Sequence, residues 1–155
     1  MLHTAAAHAA VGVATVGAIV ACVLLQYEYL VLVWRRLSTH RGHRRIKVLY
    51  GIGAVLLLHV AEIWIFGAVF WLLLLWPAAG ALAGEEALGF FDHIYFSAIC
   101  FTTVGFGEIW PTGAVRFLAA TEALSGFVLI TWSASFTYLE MERFWRSEAL
   151  HQRSE

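Results

Sequence analysis

Hydrophobic residues run along this chain in three long blocks and one short one. The long blocks cover about residues 11–34, 48–76 and 114–139. Each exceeds the roughly 20 apolar residues needed to cross the hydrocarbon core of a bilayer, so each predicts a membrane-spanning helix. The second is longer than the core requires and is expected to tilt or to project beyond the lipid. The short block, 90–101, cannot cross, and apolar runs of about 10–14 residues are more often re-entrant or interfacial. Behind it comes a polar interruption, CFTTVGFGEIWP from Cys100 to Pro111, with adjacent threonines, two glycines one residue apart, a carboxylate and a proline. None of these suits the middle of a membrane helix.

The interruption has a physical reading. Asp92 is the expected N-cap of a short helix, HIYFSAICFT, that dips into the membrane. The chain must then return to the side it came from, because the next span starts there. Irregular backbone at membrane depth is stable only when it is buried in protein or lines water. The returning stretch, Thr103 to Gly107, is therefore expected to line an aqueous path. Gly105 and Gly107 reach positive φ at little steric cost. Placed alternately, they let successive carbonyl oxygens turn to one side, as a column of ligands for a small cation. The Thr103 hydroxyl adds an oxygen at the inner end. The C-terminus of the short helix, the negative end of its dipole, points at the same place.

Charge then sets the orientation. Every Lys and Arg except Arg116 falls either in RRLSTHRGHRRIK, between the first two blocks, or after the third block, at Arg143, Arg146 and Arg153. The positive-inside rule puts residues 35–47 and the C-terminus in the cytoplasm and the N-terminus outside. Pro77 to about Gly113 then also faces outside. Trp34, Trp76, Trp110, Tyr138 and Trp145 sit near the implied interfaces, where amphipathic aromatics concentrate. Composition agrees: 61% of the 155 residues are hydrophobic and the mean hydropathy is +0.74, beyond the range of soluble domains. MLHTAAAHAA lacks the basic residues of a cleaved signal, so the N-terminus is read as retained. Cys22 and Cys100 lie in apolar runs and are expected as buried small hydrophobes. No nucleophile–base pair, metal cluster or phosphate loop is visible, so an enzyme is not expected, nor is a cofactor or a nucleic-acid partner.

TTVGFG, on the correct side of the correct spans and followed by an acidic residue and a proline, resembles the selectivity filter of the potassium channel superfamily. The resemblance covers roughly residues 48–142. It implies an all-α membrane protein with three transmembrane helices plus a re-entrant pore helix and filter loop, in a tetrameric K+-channel pore architecture. It implies K+ coordination by Thr103, Val104, Gly105 and Phe106, with Gly107 closing the filter and Thr102 ending the pore helix. Two departures stand out. Phe106 occupies the usual tyrosine position, and Phe96 the usual tryptophan position that pairs with it. Both polar partners are missing together, so the filter is expected to be held by aromatic packing. Glu108 replaces the usual aspartate at the outer mouth, or is a solvated loop carboxylate. With one filter strand per chain, a closed ring requires a homotetramer. Repeated fourfold, Glu85, Glu86, Asp92 and Glu108 form an acidic vestibule that concentrates cations.

The third span is the expected inner, pore-lining helix. Gly126 sits where the family has a hinge, or is a close-packing glycine. Ile130, Ala134 and Tyr138 are placed toward the cavity and its inner constriction. Intramembrane carboxylates point to function by default. Glu122, one turn before Gly126, is a candidate brace behind the pore helix, or a neutral hydrogen-bonded acid. Glu62 shares a helix face with His59 at i,i−3 and is read as a functional carboxylate or as a neutral acid hydrogen-bonded to backbone or to threonine. Glu28 is expected to snorkel or to pair with a loop arginine. His59, His40 and His43 are the candidates for a pH response. No span repeats Arg at every third position, so no voltage sensor is expected.

The chain thus divides into an N-terminal helix with a basic loop (1–47), a pore domain (48–142) and a short tail (143–155). The first span is expected to pack outside the tetramer. The function expected is passive K+ conduction across a lipid bilayer, in a multi-pass protein of the bacterial inner membrane. A non-selective cation channel and a non-conducting regulatory subunit of K+ transport are the alternatives.

Overall fold

A computed structural model describes the backbone of residues 2–39, 44–84 and 88–152, and side chains within 4–37, 46–84 and 88–142. His40, Arg41, His43, Glu85, Glu86 and Arg153 lie outside the described residues, as do the side chains of Arg44, Arg45, Arg143, Trp145 and Arg146. Four helices carry the fold: α1 (Leu2–Thr39), α2 (Arg44–Leu74), α3 (Phe90–Phe101) and α4 (Val115–Gln152). Segments Thr4–Leu37, Ile46–Leu74 and Val115–Glu142 are long and apolar enough to cross a membrane, and α3 is not. The all-α membrane fold read from the apolar blocks is the fold observed. The helices outrun the blocks because their ends are built from residues that hydropathy alone does not mark as membrane.

Two three-residue strands, β1 (Ala81–Ala83) and β2 (Trp110–Thr112), pair antiparallel with Leu82 opposite Pro111. The sequence reading did not include them. They join the segment before α3 to the segment after the loop, so both ends of the re-entrant unit are pinned together.

The helix α1 packs against both α2 and α4. Its buried residues, among them Val11, Thr15, Ala18, Cys22, Gln26, Leu30 and Val33, recur every three or four positions, one stripe of a 3.6-residue helix. Thr15 keeps its hydroxyl satisfied on its own helix, donating to Val11 O at 2.7 Å. Gln26 crosses to α4, where Nε2 donates to Leu129 O at 3.0 Å and to Ser133 Oγ at 2.9 Å. At the other end of α1, Lys47 Nζ donates to Leu37 O at 3.1 Å and ties the start of α2 to the end of α1.

The core lies where α2, α3 and α4 meet, around Phe66, Phe70, Phe96, Phe101, Leu118 and Leu129. Close approach of α2 to α3 depends on Gly67, where a Cβ would come within 2.9 Å of Ile94 Cα. Large apolar residues such as Val16, Leu24, Leu56, Phe117 and Phe127 remain exposed on the helices, as surfaces facing lipid or other subunits must be.

Candidate functional site

The site is built on α3. The helix starts earlier than expected. Gly89 is its N-cap and Asp92 is the third residue inside it, where its carboxylate accepts from the Gly89 backbone N–H at 2.6 Å. Asp92 still satisfies a helix N-terminus, but from within the first turn. This corrects the expected Asp92 cap by three positions. The reason is that one carboxylate can reach orphan N–H groups from either place.

At its other end α3 stops at Phe101, and Thr102 is the C-cap. The Thr102 hydroxyl donates to Ala98 O at 2.7 Å. Thr103 N–H donates to Cys100 O at 2.9 Å and Gly105 N–H to Ile99 O at 3.1 Å. The last carbonyls of the helix are thus occupied by the loop itself, which fixes where the loop leaves.

The loop has a regular backbone of an unusual kind. Positive φ occurs at Thr103 (60°), Gly105 (53°) and Gly107 (89°), and Thr103 is the one described non-glycine residue with positive φ. Val104 and Phe106 between them therefore have negative φ. The sign of φ thus alternates over five successive residues, with glycine at two of the three positive positions. Positive φ at a β-branched residue is costly, about 1–3 kcal/mol, and persists where surrounding structure holds it. The Thr103 and Gly105 hydrogen bonds onto α3 supply that hold. Residues 102–108 are all exposed in the single chain, with Val104 at 54% and Phe106 at 69%. No Cβ-sized obstacle lies within 4 Å of Gly105 or Gly107, so their need for glycine comes from backbone conformation alone.

Three side chains frame the loop. Phe96 does not pack on Phe106 within the chain. It is 2% exposed and stands edge-on to Phe70, with ring centroids 5.1 Å apart, so its role is to seat α3 on α2. A polar contact that the sequence did not show holds the loop as well: the Tyr95 hydroxyl donates to Glu108 Oε1. Glu108, expected at the mouth, is exposed there and tied to α3. The segment before α3 also bears on it, since Gly84 (φ 131°) brings its Cα so close that a Cβ would lie 1.9 Å from Glu108 O.

Behind α3 lie the intramembrane carboxylates. Glu122 and Ser97 are fully buried, with Glu122 Oε1 2.5 Å from Ser97 Oγ. The same hydroxyl lies 2.8 Å from Ile63 O on α2. Glu122 on α4 thus meets Ser97 on the rear of α3. Glu62 is fully buried as well, and its Oε2 meets His59 Nδ1 at 2.7 Å. Its partner is thus the histidine on its own face rather than backbone or threonine. The His59 ring lies 5.9 Å from the Phe101 ring at the end of α3. Glu28 is exposed on α1.

Gly126 sits directly behind the end of α3. A Cβ there would fall 2.1 Å from Phe101 O. That contact requires glycine as a matter of packing, independently of any bending. Ile130, Ala134 and Tyr138 lie on exposed parts of α4, away from the packed line of Glu122, Gly126, Leu129 and Ser133. Among the described residues no cluster of His, Cys, Asp and Glu is arranged to hold a metal ion.

Comparison with known proteins bears on the same stretch. The sequence pattern of the ion channel family matches residues 54–142, which takes in most of α2, the whole of α3 with its loop, and α4 as far as Glu142. Protein LctB of Geobacillus stearothermophilus is 28% identical over 67 residues, covering 43% of this chain and 50% of that protein. The match thus spans half the length of that relative. No solved structure matches the chain.

Proposed function

The chain belongs to the ion channel family, and from that premise we propose that four copies assemble around one axis into a passive, K+-selective channel. One observation carries this reading: the alternating φ signs of residues 103–107, on an exposed loop that follows a re-entrant helix. Turned to the axis, the carbonyls of Thr103, Val104, Gly105 and Phe106 and the Thr103 hydroxyl replace the hydration shell of K+, the mechanism of the carbonyl-lined filters that TTVGFG resembles. The exposed faces of Val104 and Phe106 are then covered by neighbouring subunits. The helix α3 aims its carbonyl end below the filter, where the dipole favours a cation. The inner helix α4 lines the path beneath, with Ile130, Ala134 and Tyr138 toward the cytoplasmic end. The Arg and Lys distribution supports a cytoplasmic C-terminus, and the compact plan a place in a bacterial inner membrane.

The test is recording from purified protein in planar bilayers under opposed K+ and Na+ gradients. Reversal close to the K+ equilibrium potential is expected. Reversal near zero sinks K+ selectivity in favour of a non-selective cation pore, and silence over a wide range of voltage favours a non-conducting subunit. Gly105→Ala should abolish the K+ current, because φ of 53° is strained for alanine. Native mass spectrometry of the purified complex tests the four-chain stoichiometry directly.

A further inference from the structure

Ser97 has one hydroxyl proton and two oxygen neighbours. Ile63 O lies at 2.8 Å and Glu122 Oε1 at 2.5 Å, both within hydrogen-bond distance of Ser97 Oγ. A backbone carbonyl has no proton to give, and an ionised carboxylate has none either. With Glu122 ionised, one of the two contacts sets lone pair against lone pair in a fully buried site. With a proton on Glu122 both contacts become hydrogen bonds: the carboxyl O–H donates to Ser97 Oγ, and Ser97 O–H donates to Ile63 O.

The surroundings favour the same count. Glu122 Oε2 is buried without a partner, which an ionised carboxylate in a site of low dielectric tolerates far less than the carbonyl oxygen of a neutral acid. The titratable groups within electrostatic reach are the Cys22 thiol from α1 and the Cys100 thiol from α3. From α2, Glu62 shares the neighbourhood of Cys22 and is hydrogen-bonded to His59. None of these brings a cation into hydrogen-bond contact with Glu122 among the described residues.

We propose that Glu122 is held as the neutral acid and that its proton forms a strut joining the inner helix α4, through Ser97 of α3, to the outer helix α2. Loss of the proton removes the donor and sets a buried charge against Ser97 Oγ, so the strut opens and α3 loses its rear support. The strut rests on hydrogen-bond geometry alone. Its effect on current rests also on the channel reading above.

Two measurements separate these. Infrared spectroscopy of the purified complex at neutral pH, with glutamate side chains isotope-labelled, should show a protonated-carboxyl C=O band that disappears in Glu122→Gln. In Ser97→Ala the band should persist at higher frequency, because its O–H has lost an acceptor. If Glu122→Gln removes only a carboxylate band, the proposal is overturned whatever the channel does. In bilayers, wild-type current should fall several-fold as pH is made alkaline. Glu122→Gln, whose amide still donates to Ser97, should conduct without that fall. An alkaline fall of equal size in Glu122→Gln would overturn the strut as its cause.

Discussion

The carbonyl oxygen of Phe101 occupies the space that any side chain on residue 126 would need, 2.1 Å from where its Cβ would sit. A backbone carbonyl cannot swing aside as a side chain can, so α3 or α4 must move as a unit. Forced overpacking of this kind costs typically 1–3 kcal/mol. Gly126→Ala should lower the thermal midpoint of the complex in detergent and reduce current together. Gly53→Ala is the control. It lies on α2 with no obstacle within 4 Å, and helix propensity alone should make it neutral or slightly stabilising. Equal tolerance of both substitutions would show that the contact at Gly126 is not limiting.

Tyr95 and Glu108 make the corresponding test at the outer end. Tyr95→Phe removes only the hydroxyl that bonds the carboxylate. Both groups are exposed, so the loss is about 1 kcal/mol rather than the larger value of a buried bond. That corresponds to roughly a fivefold shift between conducting and collapsed arrangements of the loop. The expected readout is faster decline of current during sustained opening, with unchanged reversal potential. Glu108→Gln, whose amide oxygen still accepts from Tyr95, should decline more slowly than Glu108→Ala.

How much of this was legible in the sequence depends on the range of the interaction concerned. The three spans and α3 follow from runs of apolar residues, a local property. The loop was legible because its demand for glycine at alternate positions is written into consecutive residues. The contact of Phe96 with Phe70 was not legible, because spacing along the chain does not say which way a ring turns on α3. The pairing of β1 with β2 was invisible, since three-residue strands are too short to show alternation and Thr112 meets Ala81 31 positions away. Gln26 gave no signal at all: a lone amide in an apolar run acquires meaning only when Leu129 and Ser133 are brought opposite it.

That amide supplies a prediction about α1. Gln26 Nε2 bonds two groups on the inner helix below Gly126. Hydrogen bonds between membrane helices average about 0.6 kcal/mol by measured cycles. Gln26→Leu, which keeps the packing volume and drops both bonds, should therefore have a modest effect, about eightfold at most in open probability. Gln26→Glu removes the donor and presents oxygen to Leu129 O at a fully buried position. It should be much worse, lowering assembled protein in the membrane several-fold as judged by native gel. If the two variants behave alike, α1 is held on α4 by shape and not by this amide.

The His59–Glu62 pair on α2 allows a full cycle. The two side chains meet at 2.7 Å, and the far atom of each, His59 Nε2 and Glu62 Oε1, is buried without a partner. Removing one member of such a pair leaves the other unsatisfied in an apolar setting, at about 1–3 kcal/mol or more for a group that carries charge. Removing both replaces a polar pair by hydrocarbon and is often close to neutral. His59→Leu alone and Glu62→Leu alone should each lower the thermal midpoint clearly, and the double variant should recover most of the loss. The His59 ring also rests near Phe101 at the base of the loop. The double variant is accordingly expected to fold well yet to show altered current, because leucine restores burial without restoring the ring. Additive destabilisation in the double variant would mean that the two residues contribute separately. Recovery of stability together with wild-type current would mean that the pair serves the fold alone.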